Sequence, residues 1–428
     1  MVTTAFINIH GKRVGAVAWD PNRGLASFEY DPQFKLEELP IAPIKMPNKN
    51  RIYSFPEFRD SETFKGMPGL LADALPDRYG KELINAWLAR QGRPDNSLNP
   101  VELLCFIGKR GMGALEFEPA ISKESASYDL ELSDLIETTK ALLEKKEELH
   151  ISTHHNMEDV MLDVLKMGTS AGGARPKAII AYNEETGKIK SGQTLAEDGF
   201  EHWLIKFDEI SDVQFGVSKG YGRVEMAYYK MATDFGIDMM ESRLIEENHR
   251  VHFMTKRFDR VGGNQKVHTQ TLCALQHYDF ANITSYSYEQ VFQTMRLLRL
   301  SYAEAEQMFK RMVFNVVARN CDDHTKNFAF LMDTQGKWKL APAYDICFAY
   351  RPDSVWVSQH NLSINGKRKS FERKDLITIA EQNSIRNPEK IVDQALGLVK
   401  NWNQYAEMYQ VDPVLAQQIA SELINEMK

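Results

Sequence analysis

The segment RNCDDHTKN holds the residues whose types and spacing are best suited to chemistry. Asp322 is followed five residues later by Asn327, with His324 and Lys326 between them. A carboxylate at that separation from a neutral amide can face an acceptor hydroxyl while the amide oxygen binds a divalent ion on nucleotide phosphates. Asp345, 18 residues after Asn327, ends the stretch FAFLMDTQGKWKLAPAYD, which reads as a β-hairpin and its exit. Mg²⁺ prefers oxygen ligands and takes one or two protein carboxylates plus phosphates, so Asn327 and Asp345 make a sufficient protein shell. The order and spacing point to phosphoryl transfer with Asp322 as the base.

Two upstream features fit the same chemistry. GTSAGGARPK joins a helix to a strand, and its small residues Gly172, Gly173 and Ala174 let backbone N–H groups approach phosphate closely before Lys177 closes the loop. Lys206 lies in the apolar strand HWLIKF, and Glu225 follows 19 residues later on the helix VEMAYYKMA. A lysine inside an apolar strand needs an anion, which Glu225 and ATP phosphates would supply; an edge-strand lysine with its head in water is the plainer alternative. Two rivals stand beside the kinase reading. One is a metal-dependent hydrolase using Asp322, Asp323 and His324 directly as ligands. The other is a non-catalytic binding module within a repressor complex.

The elements that must position these residues are legible in outline. FINI and VGAVAW flank the turn-like HGKR, and ASFEY follows PNRG, giving an antiparallel meander. Helical spacing runs through GLLADALPDRYGKELINAWLARQ and PVELLCFIG, and GALEFEP returns as a short strand. Residues 1–120 therefore form one α+β unit. The polar stretch 119–129 reads as a linker, followed by a charged helix capped by Ser133 and a second amphipathic helix, MEDVMLDVLKM. A β-rich layer with one inserted helix occupies about 165–260, and a mainly helical region about 261–428, so 121–428 reads as one catalytic region of two parts.

Bulk properties narrow the class. The chain has 428 residues, enough for two lobes, and is 43% hydrophobic and 26% charged, as ordinary globular proteins are. Net charge is −7, which argues against a surface devoted to nucleic acid and makes any DNA role indirect. The four cysteines, Cys105, Cys273, Cys321 and Cys347, form no C-x-x-C pair and suggest neither disulfides nor a zinc site. The sequence shows no apolar run of membrane-spanning length and no signal-peptide pattern, so a cytoplasmic location without membrane association is expected.

The ordered motifs NIHGKRVGAV, LLADALPDRYG, LLCFIGKRGMGALEFEP, TSAGGARPK, HWLIKF, KRFDRV, NVVARNCDDHTKNFAFL and APAYDI resemble the HipA family of bacterial toxin kinases over nearly the whole chain. The resemblance implies a two-lobed, HipA-like kinase fold of the α+β class. It further implies ATP and Mg²⁺ as cofactors, Asp322 as base, and Asn327 and Asp345 as metal ligands. Lys177, Lys206, Lys256, Phe258, His324 and Lys326 would contact ATP, with Phe258 flanking adenine. Ser170 matches the family's autophosphorylation serine, with Thr169 beside it. The family also implies a helix-turn-helix, HipB-like antitoxin that binds kinase and operator DNA, and a protein substrate, with aminoacyl-tRNA synthetases as the known class. The chain departs from the family in having Asp323 where Gly follows the base and Lys256 where an acidic hinge residue is usual. The basic segment GKRKSFERK, residues 366–374, lies where an activation segment could receive an acidic or tRNA-bound target, though a solvated charged surface is the favoured reading.

Overall fold

The computed structural model describes residues 2–119, 135–137, 139, 168, 175–191, 195–208, 211–212, 216–217 and 220–428. Thr169, Ser170, Gly172, Gly173 and Ala174 lie outside the described residues. So do residues 120–129 of the expected linker and nearly all of the two helices expected between Ser133 and Met167.

The chain opens with β1 (Thr4–Ile9) and β2 (Lys12–Asp20), paired antiparallel so that Ile9 faces Lys12. His10 and Gly11 both have positive φ, the backbone that a two-residue hairpin turn requires. β3 (Leu25–Tyr30) and β4 (Ile52–Tyr53) extend the sheet on one side. Two helices, α1 (Gly69–Ala72) and α2 (Arg78–Arg90), replace the single long helix that the spacing suggested. Pro76 removes a backbone donor between them, and Asp77 restarts the helix by accepting from the Gly80 N–H at 2.9 Å. α3 (Pro100–Ile107) begins with a reciprocal Asn99–Glu102 capping box, and β5 (Leu115–Glu118) returns to pair with β1.

The second sheet comprises β6 (Lys177–Tyr182), β7 (Ile189–Ser191), β8 (Glu201–Lys206), β9 (Ser242–Glu247) and β10 (Arg250–Lys256), with α4 (Tyr221–Asp234) inserted between β8 and β9. Its strand order is β9-β10-β8-β6-β7. Because strand side chains alternate, the sheet has two distinct faces. Ala178, Ile180, Trp203, Ile205 and Met254 point to one and pack with Tyr79, Leu83 and Leu88 of α2. Lys177 and Lys206, directly opposed across β6 and β8, point to the other.

Beyond it come β11 (His268–Thr271), α5 (Leu272–Gln276), α6 (Tyr288–Leu297) and α7 (Tyr302–Val317). The hairpin of β12 (Ala329–Met332) and β13 (Trp338–Leu340) joins β11 in a three-stranded sheet. Four C-terminal helices follow, α8 (Arg373–Gln382), α9 (Pro388–Lys400), α10 (Trp402–Met408) and α11 (Pro413–Glu422), one more than the roughly three expected. Ser287 and Ser301 each close a capping box, with Gln290 and Glu304, which fixes where α6 and α7 begin. A continuous core runs from the first sheet, through Leu70 and Leu71 of α1, into Phe309, Phe314 and Trp402 of the helical region.

Candidate active site

α7 leads into the segment that carries Asp322. Arg319, at φ +56, turns the chain out of the helix, and the Asn320 N–H returns to the Asn315 carbonyl at 2.9 Å. The Cys321 N–H donates to the Ala349 carbonyl at 3.0 Å, which holds the extended run to the chain just past Asp345. A single turn, Thr325–Asn327, then folds back so that the Asn327 amide nitrogen donates to the Asp322 carbonyl at 2.7 Å. That bond commits the nitrogen and leaves the amide oxygen as the end able to accept a cation.

Asp322 keeps 46% of its side-chain surface open, and His324 Nε2 stands 3.9 Å from its Oδ1. The walls of the cleft push its carboxyl above the ordinary carboxylate value, with His324 pulling down and Asp345 and Asp323 adding to the rise. A carboxylate whose proton affinity is raised in this way is a better proton acceptor.

Lys206 is the junction of the site. Its ammonium donates to Glu225 Oε1 at 2.5 Å and also pairs with Asp345. Gly222 makes the first contact possible, because a Cβ there would lie 2.5 Å from the Val251 carbonyl oxygen and hold α4 away from β10. Asp345 adopts φ +51, a left-handed conformation uncommon outside glycine, which functional carboxylates occupy when their surroundings over-determine them. Burial alone would raise its carboxyl, but Lys206 and Lys177 hold it at about 2. Lys206 responds in the opposite sense: burial favours its neutral form, and the two acids keep it charged beyond the ordinary lysine value.

Lys177 is 3% exposed, and its ammonium is lowered by burial against the pull of Asp77 and Asp345. Asp77 is a site neighbour that the sequence did not single out. Its place before an amphipathic helix marks it as a cap, but only the fold brings that cap near Lys177, where burial lifts its carboxyl to about 6. Phe258 packs near Tyr344 with ring centroids 5.6 Å apart, and the Tyr344 hydroxyl donates to the Lys326 carbonyl at 2.6 Å. The Lys326 ammonium lies 4.8 Å from the centre of the Phe280 ring, beside His324 at 5.3 Å from the same ring. Lys256 does not join this group. It lies on the α2 face of the second sheet, opposite Trp203, and is paired with Glu201.

The KRFDR motif has a role that its family marker did not convey. Asp259 is fully buried and chelated by Arg257, at 2.7 and 2.8 Å, and by Arg260 at 2.8 Å. It also accepts the Gly113 N–H at 2.6 Å, and both arginines reach the Gly111 carbonyl. The motif thus ties the second sheet to the loop before β5. The basic segment 366–374 also spends its charge internally. Lys367 pairs with Asp375 at 2.8 Å, Arg373 pairs with Glu389 and Asp393, and Arg368 donates to the Ile283 and Tyr286 carbonyls.

The donor set fits a hard divalent cation: the Asn327 amide oxygen and the Asp345 carboxylate, one carboxylate and one neutral oxygen, with room left for phosphate. It does not fit the three-ligand cluster of the hydrolase reading. Asp323 turns away from Asp322 into the interior, where it accepts from Tyr288, His360 and the Asn361 N–H. Among the described residues no group of three or more His, Cys, Asp or Glu side chains is placed to hold a metal.

Fold and site together define a two-lobed, kinase-like α+β protein. Residues 5–118 match the HipA N-terminal domain and residues 169–427 the HipA-like C-terminal domain. The chain belongs to the HipA family. Its fold is similar to that of a chain in the Shewanella oneidensis MR-1 toxin–antitoxin complex of HipA, HipB and operator DNA. The TM-score is 0.66 at 15% identity, covering 97% of this chain and 94% of that one. Over 128 residues it is 28% identical to a Sinorhizobium fredii protein named "Putative kinase Y4mE", which covers 27% of this chain. A Haemophilus influenzae protein named "Putative kinase" is 27% identical over 134 residues, 28% of this chain. These stretches span only 30% and 39% of the two relatives' lengths. No helix among the described residues is long and apolar enough to cross a membrane.

Proposed function

We propose that the chain is an ATP- and Mg²⁺-dependent protein serine/threonine kinase, the toxin of a HipA/HipB-type module. The observation that carries this reading is the Lys206 ammonium held between Glu225 and Asp345, with Asp322 and Asn327 on the neighbouring loop. Lys206 and Lys177 would bind the nucleotide phosphates, and Phe258 and Tyr344 would flank the base. Asn327 and Asp345 would hold Mg²⁺, which when bound neutralises charge between the phosphates. Asp322 would accept the proton of a Ser or Thr hydroxyl as its oxygen bonds to the γ-phosphorus and the bond to the ADP oxygen breaks. Positioning and electrostatics supply most of the acceleration in such chemistry.

Autophosphorylation at Ser170 or Thr169, a HipB-like helix-turn-helix partner that contacts operator DNA, and aminoacyl-tRNA synthetases as targets belong to the same proposal. Support for the partner is the fold shared with the HipA, HipB and operator DNA complex. The test compares wild type with Asp322→Asn, using γ-labelled ATP with Mg²⁺ and phosphopeptide mapping. Wild type is expected to label itself at Ser170 or Thr169, and Asp322→Asn to lose label at least ~100-fold, as loss of a general base can cost that much. Equal labelling of the two proteins removes Asp322 as base, and absence of label from wild type with Mg·ATP overturns the kinase reading.

A further inference from the structure

The residue after the base is an acid with nothing to do in the cleft, and its surroundings are unusually complete. Asp323 is 1% exposed. One carboxylate oxygen accepts the Tyr288 hydroxyl at 2.8 Å and His360 Nδ1 at 2.9 Å, and the other accepts the Asn361 N–H at 2.7 Å. His360 is also 1% exposed, and although burial opposes its charge, Asp323 raises its imidazole to about 10. The neighbours reinforce the junction, with Asn361 Nδ2 donating to the Cys321 carbonyl at 2.8 Å and to the Trp356 carbonyl at 3.0 Å. The His360 N–H donates to the Arg368 carbonyl at 2.9 Å.

The same bonds continue toward the metal carboxylate. Tyr288 Oη accepts from Asn315 Nδ2 at 3.0 Å, Asn315 Oδ1 accepts from Asn320 Nδ2 at 2.9 Å, and Asn320 Nδ2 also approaches the Asp345 carbonyl at 3.4 Å. Asn315, Asn320 and Asp323 border a cavity of ≈ 10 Å³ whose wall includes Asn327 and Asp345. Severing one bond in such a buried polar chain leaves its partner unpaired.

We propose that Asp323 is a positioning residue: its buried hydrogen bond with His360 locks the loop carrying Asp322 onto the segment 354–368, so that order in that segment sets the aim of the base. This rests on the kinase reading for its catalytic consequence and on the bond network for the coupling itself. The segment lies between Asp345 and α8, is without helix, and pairs through Leu362–Ser363 with Tyr286–Ser287 just ahead of α6. An acceptor protein that orders it would thereby act on the base without touching it.

The test uses the full chain with Mg·ATP and the variants Asp323→Asn, His360→Gln and the double variant. Each single variant is expected to lower kcat for phosphoryl transfer by roughly 10- to 100-fold with KM for ATP held within about twofold, because aim is lost while nucleotide contacts remain. The double variant, with two neutral amides able to pair, is expected to lose less than the product of the two single losses. Wild-type kcat in Asp323→Asn, a rise in KM alone, or losses that simply multiply would each overturn the proposal. Hydrogen exchange of Asp323→Asn provides a readout independent of activity. The amides of 320–327 and 354–364 are expected to loosen together, and loosening of only one of them overturns the coupling. A wild type that transfers no phosphate, with both segments loosening in Asp323→Asn, sinks the kinase reading and leaves the coupling standing.

Discussion

Asp322 and Asp323 are neighbours of one type with opposite fates. Extended backbone sends successive side chains to opposite sides, so one carboxylate meets the cleft and the next meets Tyr288 and His360. The sequence makes Asp322, Asn327 and Asp345 readable through spacing, but it offers no sign of what Asp323 faces, because its partners lie 35 and 37 residues away. The buried pair also makes a stability prediction. His360 has its folded value raised from 6.5 to about 10, so its contribution is fully present below 6.5 and is lost as pH climbs through 10. Thermal unfolding followed between those limits is expected to show a falling melting temperature in wild type and a flatter profile in His360→Gln. Parallel profiles would show that His360 is uncharged in the folded protein.

At the scale of elements, the strand Lys and helix Glu were recognisable from their order, and the distance between them was not. Gly222 closes that distance, and nothing in a one-dimensional pattern marks a glycine as a close-approach point when it sits in a helix's first turn. Lys256 is the converse. The family resemblance suggested the nucleotide, yet strand alternation places its side chain on the α2 face with Glu201. The same motif contains a buried tether between the second sheet and the loop before β5. Replacing Asp259 with Asn leaves two buried guanidinium groups without their shared carboxylate, a loss expected to cost about 3–5 kcal/mol. Urea unfolding of Asp259→Asn measures it, and a midpoint matching wild type would mean that water reaches Arg257 and Arg260.

Taken whole, the molecule has a core that continues past the end of the first family domain. Residues 1–120 read as a unit because meander, helices and returning strand are consecutive, and that local order is present in the first sheet. An amphipathic pattern announces that a helix buries one face without naming the surface that covers it. For α2 that surface is the second sheet, where Tyr79, Leu83 and Leu88 pack with Trp203, Ile205 and Met254. α1 likewise shares the core of the helical region, and Asp73 accepts both the N–H and the hydroxyl of Thr271 at 2.7 Å. Unfolding in denaturant is therefore expected as one transition, with fluorescence of the buried Trp203 and Trp402 changing at the same midpoint as the far-ultraviolet signal. Two separated transitions would show that the first 118 residues hold their structure alone.

The cover that α2 provides has a consequence for how the protein is made. On the ribosome, α2 emerges roughly a hundred residues before the strands it must cover, at about 5–20 residues per second. For several seconds its apolar face has no surface to meet, and the sheet bearing Lys177 and Lys206 does not yet exist. Lys177, Lys206, Asp77, the Asp322 loop and Asp345 can come together only after residue 345 has been translated.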